Sequence, residues 1–302
     1  LTWRTKFSFG VPLGLLFVGV VLALDGWLLN RLIAHSIRAQ EITVFSFAAG
    51  LLVLLSLPLL ALLVYHTASC LTLHYRLDRN GVVVRWAGGE WTIPIRDIQR
   101  IVPGEQLGAA VVRRRGLRWP GHERGEGLVP GLGRTVFLAT RPLAKQLLLV
   151  TPGLAFGLSP DDPEGFLEAF AARQELGPNR LLEQGVRHAE WFSWRLWRDQ
   201  TAWLLLGAAV IINLGLFGYL AARFPNLDTN LPLHFDRFGS PDRFDAKAAL
   251  FALPIIGLII LGTNLLLGLV LYRRERAGSY LLWGAAAAAQ ALFWLATFSI
   301  VP

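Results

Sequence analysis

Five runs of about 20 apolar residues each, at 9–29, 44–65, 202–222, 248–272 and 279–300, constrain this chain more than any other feature. A bilayer offers no water to solvate peptide groups, so a run of this length is stable there only as a helix that satisfies its own backbone. The apolar residues are concentrated in these blocks. With 54% hydrophobic residues and a mean hydropathy of +0.46, the chain is too apolar for an ordinary soluble domain. Residues 66–200, between the second and third runs, instead have soluble character. The expected class is an α-helical integral membrane protein of about five spans carrying an inserted β-rich domain.

The first run follows Arg4 and Lys6, as a signal peptide would. It is longer than a signal h-region and ends in Asp25-Gly26-Trp27 without a small-x-small cleavage pattern, so it is read as a retained helix. Orientation follows the distribution of Lys and Arg around the runs. An inside N-terminus places Arg4, Lys6, the basic insert and the turn Arg273-Arg274-Glu275-Arg276 on one side. The outer segments then hold Arg31 and Arg38, and Arg223, Arg237, Arg243 and Lys247, the last four interleaved with Asp228, Asp236, Asp242 and Asp245. The expectation is a cytoplasmic N-terminus and insert with an external C-terminus. The one cysteine, Cys70, rules out an intrachain disulfide and a cysteine-based metal cluster.

Within the insert the period changes to two. Leu71, Leu73 and Tyr75 alternate with Thr72, His74 and Arg76, and Asp78-Arg79-Asn80-Gly81 reads as a hairpin turn built on residues that tolerate positive φ. Strands follow at 82–86 and 90–95, then at 135–140, 146–151 and 154–158. Ser159-Pro160-Asp161-Asp162-Pro163-Glu164 reads as a helix start capped by Ser159 or Asp161, with Phe166, Leu167 and Phe170 on one face. The segments YRLDRNGVVVRW…WTIPIRDIQRI and TVFLATRPLAKQLLLVTPGLAFGLSPDDPEGFLEAF resemble the bacterial pleckstrin-homology-like (PH-like) domain over residues 71–173. That resemblance implies a curved antiparallel barrel or sandwich closed by a C-terminal helix, and it does not imply phosphoinositide binding. The segment 71–173 is expected to fold alone. Residues 177–200, with Trp191, Phe192, Trp194 and Trp197, are expected to form an amphipathic connecting helix.

Between the third and fourth apolar runs lies a second patterned segment, LPLHFDRFGSPDRFDAK at 231–247. Its Leu231-Pro232, His234-Phe235, Gly239, Pro241-Asp242-Arg243 and Lys247 resemble the loop in the N-terminal domain of SdpI-type bacterial membrane proteins. The resemblance implies a bacterial plasma-membrane protein and points toward immunity and signal transduction, although it covers only residues 204–272 and no counterpart of the downstream SdpI helical domain is expected in the residues that follow. Two readings of the loop stand. Pro232, His234, Gly239, Pro241, Asp242 and Lys247 form a structural or recognition cap on a helix pair, with Phe235, Phe238 and Phe244 beneath it and Asp242 or Asp245 capping the next helix. Alternatively His234, Asp236, Asp242 and Asp245 hold a divalent cation. The structural reading is preferred, and neither a metal nor a cofactor is expected.

Arg113, Arg114, Arg115 and Arg118 are placed in a loop between strands, where they are either solvated charge or a contact for anionic lipid or an acidic partner. Nucleic acid is excluded as a partner, since no recognition helix or stacking platform accompanies the charge. Inside the runs, Asn213, Asn264 and Gln290 are expected to hydrogen-bond between helices, Asp25 to reach the membrane boundary, and Gly284 with Ala285–Ala289 to allow close helix approach. There is no HExxH, no Gly-x-Ser-x-Gly and no phosphate-binding Gly loop, and His122-Glu123 lacks a second histidine at the needed spacing. The domain plan is therefore a membrane hairpin at 1–66, a PH-like domain at 67–176, a connecting helix at 177–200 and a three-span domain at 201–302. The expected function is a non-enzymatic interaction or signalling module whose partners are membrane lipids and an unidentified protein. Immunity is the first competitor. A transporter is disfavoured, because no run carries a broken-helix signal with a charged lining.

Overall fold

The computed structural model describes residues 1–5, 8–34, 42–107, 113–115, 119–188, 194–235, 237–238 and 241–301. It comprises two compact units, Leu1–Ala23 with Ser56–Trp194, and Leu24–Leu55 with Arg195–Pro302.

The chain opens with strand β1 (Thr2–Arg4), then helices α1 (Gly10–Ile33) and α2 (Val44–Thr72). α2 continues seven residues past the expected end at Tyr65. Hydropathy marks where a helix leaves an apolar medium and not where it stops. Here two threonines of the polar extension bond back within the helix, Thr67 donating to the Leu63 carbonyl at 2.8 Å and Thr72 to that of Ala68 at 2.7 Å, whereas the Ser69 hydroxyl is buried without a partner among the described residues.

The β domain follows as β2 (His74–Leu77), β3 (Gly81–Trp86), β4 (Gly89–Pro94), β5 (Arg100–Pro103), β6 (Arg113–Arg115), β7 (Glu123–Val129), β8 (Gly133–Ala139), β9 (Leu147–Thr151), β10 (Leu154–Leu158), α3 (Pro163–Leu176) and β11 (Gly185–His188). One sheet has the order β1-β2-β3-β4-β11, the other β5-β9-β10-β8-β7-β6, with only the β8–β10 pair parallel among these strands. Alternate residues of both sheets enter one core: Tyr75, Leu77, Val82, Val84 and Ile93 meet Leu138, Leu149, Phe156 and Leu158, and Phe166 and Phe170 of α3 close it. The buried Tyr75 hydroxyl joins the sheets, donating to the Leu138 carbonyl at 2.7 Å and accepting from the Ser159 amide at 3.0 Å.

Several expectations change here. The β2–β3 turn is held by the Asp78 carboxylate, which accepts from the amides of Asn80 and Gly81 at 2.8 and 3.1 Å. Gly81 is required by space, since a Cβ there would strike the Ile93 carbonyl. The α3 cap is Asp162, accepting from Gly165 at 3.0 Å, while Ser159 is buried against Tyr75 and Thr140. Arg79 covers the other end of α3, donating to the Leu176 and Gly177 carbonyls at 2.6 and 2.5 Å, where a cation also offsets the helix dipole. Arg113–Arg115 form an edge strand paired with β7 and are not a loop. The connecting helix expected at 177–200 is replaced by β11 on the edge of β4 and a 3-10 turn at Arg195–Arg198, residues 189–193 lying outside the described residues. A strand there wins because the β4 edge would otherwise leave its peptide groups unpaired. The first sheet thus needs strands from outside 71–173, so that segment is short of its full complement.

The second unit contains α4 (Gln200–Arg223), a hairpin of β12 (Asn230–Phe235) and β13 (Pro241–Ala246), α5 (Ala252–Tyr272) and α6 (Arg276–Ile300). α1, α2, and the helical stretches 200–226, 247–272 and 276–300 are each long and apolar enough to cross a bilayer. α4, α5 and α6 are joined through side-chain amides. Asn213 Nδ2 donates to Gln290 Oε1 at 2.9 Å and to the Pro254 carbonyl at 3.0 Å, and Gln290 Nε2 donates to the Gly257 carbonyl at 2.8 Å. Asn213 therefore pairs with Gln290, while Asn264 bonds back to Ile260 of its own helix at 2.9 Å. Of the small-residue run, Ala286 packs with Ala209 and Leu261, whereas Gly284 has nothing near it. Asp25, expected at the membrane boundary, is buried.

Candidate functional sites

Residues 231–247 form the β12–β13 hairpin, with register shifts around His234. Leu231 is buried with Leu216, Leu220, Leu250 and Val301 and seats the hairpin on the helices. Pro232 pairs with Phe244 and His234 with Arg243. Phe238 and Phe244 are exposed, contrary to the expected apolar underside. Lys247 has a defined role. Its ammonium donates to the carbonyls of Phe224 and Leu227 at 3.0 and 3.4 Å and lies 4.5 Å from the Phe224 ring, capping the C-terminal end of α4. Asp242 and Asp245 both fall in β13, and the N-cap positions of the 3-10 turn at Lys247–Phe251 and of α5 are Ala246 and Phe251.

Asp236 and Gly239 lie outside the described residues, as do the side chains of His234, Pro241 and Asp242. Among the described residues no group of three or more His, Cys, Asp or Glu is placed to hold a metal. The side chains of Arg113, Arg114 and Arg115, and all of Arg118, are likewise outside the description.

A cluster that the sequence reading passed over gathers around His66 and Trp119. His66 lies on the polar extension of α2, and Trp119-Pro120-Gly121-His122 forms the tight turn before β7, closed by the His122 amide donating to the Trp119 carbonyl at 3.0 Å. The His66 imidazole stacks on Trp119 at 5.4 Å and 10°, with the His122 ring edge-on at 6.4 Å. Trp119 Nε1 donates to the Gly10 carbonyl at 3.2 Å, and Ser8 donates to the Gly121 carbonyl, so the start of α1 is held by the same turn. Gly121 has φ +68°, and a Cβ there would strike Ser8 and Gly10. Gly14 is equally constrained by Thr67 of α2 and Trp119. On β7, Arg124 donates to the Tyr65 hydroxyl at 2.6 Å and lies 4.7 Å from the Trp86 ring centroid.

Burial holds His122 neutral, with help from the nearby Arg124 and His66, and brings its pKa down to about 4. The arrangement suits mechanical joining. It has aromatic area, a half-buried cation–π contact and hydrogen-bonded turn carbonyls. The sequence signal was Trp-Pro-Gly-His, an aromatic turn inside an Arg- and Gly-rich stretch. Only the fold could supply its partners, 109 residues from Trp119 at Gly10 and 113 from Gly121 at Ser8.

Comparison with known proteins agrees with part of this picture. Residues 73–174 match the family model described as Bacterial PH domain, and residues 211–258 match Domain of unknown function (DUF1648). The first match runs from the start of β2 almost to the end of α3 and leaves β1 and β11 outside it. The second takes in the C-terminal half of α4, the hairpin and the start of α5. No curated protein and no solved structure matches the chain.

Proposed function

We propose that this chain is a non-enzymatic membrane-anchored interaction module. The PH-like domain is the recognising part, and the α1–α2 hairpin is directly coupled to it. One observation carries this reading: Trp119-Pro120-Gly121-His122 grips both α1 and α2, while β1, just before α1, is a strand of the same sheet that α2 leads into. α2 runs to Thr72 and β2 starts at His74, so a ligand that shifts the domain also biases the helices. The β1–β2 pairing supports a shared side for N-terminus and insert, and the positive-inside distribution favours the cytoplasm.

The test is photocrosslinking in intact cells, with a photoreactive residue replacing Leu128 or Leu181 on the full chain, both exposed at 58% and 74%. A single reproducible partner or lipid supports the proposal. Labelling no more selective than at Leu292, exposed on α6, would sink it. The competing proposal, an immunity role, draws on the SdpI-type resemblance at 231–247; toxin sensitivity on deletion of the whole chain, restored by residues 195–302 alone, would favour it. Orientation is read with Cys70→Ser as background. A membrane-impermeant thiol reagent is expected to label Ser240→Cys in intact cells and to leave Arg274→Cys unlabelled.

A further inference from the structure

A second cluster lies in the helical unit, where the N-terminal ends of α4 and α6 meet the C-terminal end of α5. Arg195, Arg198, Asp199, Gln200, Tyr272, Arg276 and Tyr280 line a cleft of about 490 Å³ there. Its geometry is organised by Asp199. One carboxylate oxygen accepts from the Ala202 amide at 3.1 Å and caps α4, and the other accepts from the hydroxyls of Tyr272 and Tyr280, both at 2.5 Å. Those two phenols hold the Asp199 pKa down to about 2, so the carboxylate stays charged and its oxygens are occupied. Tyr272 is held in turn by Trp283, stacked on it at 5.8 Å, and Trp283 sits so close to Gly268 that a Cβ there would strike the indole.

The arginines are not used in the same way. Arg276 lies over the Tyr272 ring at 5.6 Å, and among the described residues none of Arg195, Arg198 and Arg276 forms an ion pair. Three guanidiniums thus line a cleft whose single carboxylate already accepts from the Ala202 amide and both phenols, leaving forked N–H donors for an anion. The surroundings identify the rest of the ligand. Trp197 and Trp203 stack at 5.7 Å and are about half exposed (49% and 48%), the pattern of aromatic side chains at a membrane–water boundary. Leu204 and Leu281, one turn inside α4 and next to Tyr280, are 70% and 75% exposed. Cationic donors thus adjoin an exposed apolar wall, which complements an amphiphile better than a free ion.

We propose that this cleft binds the phosphate of an anionic phospholipid headgroup, with the acyl chains lying along the exposed apolar faces of α4 and α6. The site is separate from the PH-like domain and does not depend on the function proposed above.

The experiment is native mass spectrometry of the full chain, purified in detergent and exchanged with equimolar phosphatidylglycerol and phosphatidylcholine. The wild type is expected to retain one phosphatidylglycerol in preference to phosphatidylcholine. Each arginine is worth roughly fivefold, so Arg195→Gln/Arg198→Gln/Arg276→Gln is expected to lose on the order of 100-fold in that preference. Removing equal charge elsewhere, in Arg76→Gln/Arg100→Gln/Arg180→Gln, is expected to leave it intact. If the first triple variant fails to fold, the exposed Arg198→Gln alone is read, with a loss of about fivefold. Equal retention of both lipids, an unaffected cleft variant or an equal loss in the control variant would each overturn the proposal. So would displacement of the lipid by millimolar inorganic phosphate, which would identify a soluble phosphate as the ligand.

Discussion

In the β domain, Phe137, Phe156, Phe166 and Leu149 are fully buried, and the polar side chains buried with them include Tyr75 and Ser159, hydrogen-bonded across the sheets. In the three-helix bundle, Asn213, Ser279, Gln290 and Thr297 are at most 2% exposed, while Ile211, Val270, Leu281 and Leu295 stand between 66% and 76% exposed. The contrast follows from the two solvents. Water expels apolar area into a core, whereas lipid gives apolar side chains no reason to leave it, so helices associate through close packing and interhelical hydrogen bonds. Burial alone is therefore a poor guide to which residues hold this protein together. A polar residue at the centre of the bundle does what a phenylalanine does in the sandwich.

The sharpest way to break that comparison is at a glycine. A Cβ at Gly257 would strike Gln290 Oε1 and come within 2.8 Å of Asn213 Nδ2, so Gly257→Val both overfills the bundle and breaks its amide network. A cost of about 3 kcal/mol is expected, read as loss of monodisperse protein after detergent extraction, whereas Gly284→Val, with open space around it, is expected to be near neutral.

Acid should also separate the two units. His122 is buried with its pKa brought from 6.5 to about 4, so the unfolded chain takes up a proton there before the folded one does. Stability of the β domain is therefore complete above about pH 6.5 and falls as pH drops toward 4, by about 3 kcal/mol at most. The Asp199 carboxylate, depressed to about 2, protonates only below that window. Thermal unfolding of the full chain between pH 7 and 4.5 is expected to lower the β-domain transition and leave the helical one in place. His122→Leu should flatten the β-domain slope. A slope unchanged in that variant would assign the acid sensitivity elsewhere.

A matched pair of smaller deletions sharpens the same point. Tyr75→Phe leaves the buried Ser159 amide without its phenol acceptor and is expected to cost about 1–3 kcal/mol. Gln290→Leu removes bonds from Asn213 and to Gly257, yet about 0.6–1.7 kcal/mol is expected, because the unassembled helix finds other partners within the membrane. Comparable losses in both would undo the distinction between the two solvents. The smallest effect is expected at Lys247→Met, about 0.5–1 kcal/mol for the lost bonds to the Phe224 and Leu227 carbonyls that follow α4, seen as faster hydrogen exchange over residues 220–227.

The sequence by itself determined the five membrane-length helices, the strands at 135–140, 146–151 and 154–158, and the α3 face of Phe166 and Phe170. Each of these is local: a run of apolar residues, an alternation or a helical period already states which medium each side chain enters. It also singled out residues 231–247, whose Lys247 then proved to cap α4. Tertiary structure alone decided that residues 2–4 and 185–188 are strands of the β domain, because nothing near them in the chain shows the sheet edges they complete. The same holds for Asn213, whose partner lies 77 residues on at Gln290, and for the turn at Trp119–His122. The three arginines and two tyrosines of the cleft are likewise scattered over residues 195–280, each unremarkable in its own segment. Side chains brought together from distant segments leave no period in the sequence, since their spacing is set by how the elements pack and not by the geometry of any one of them.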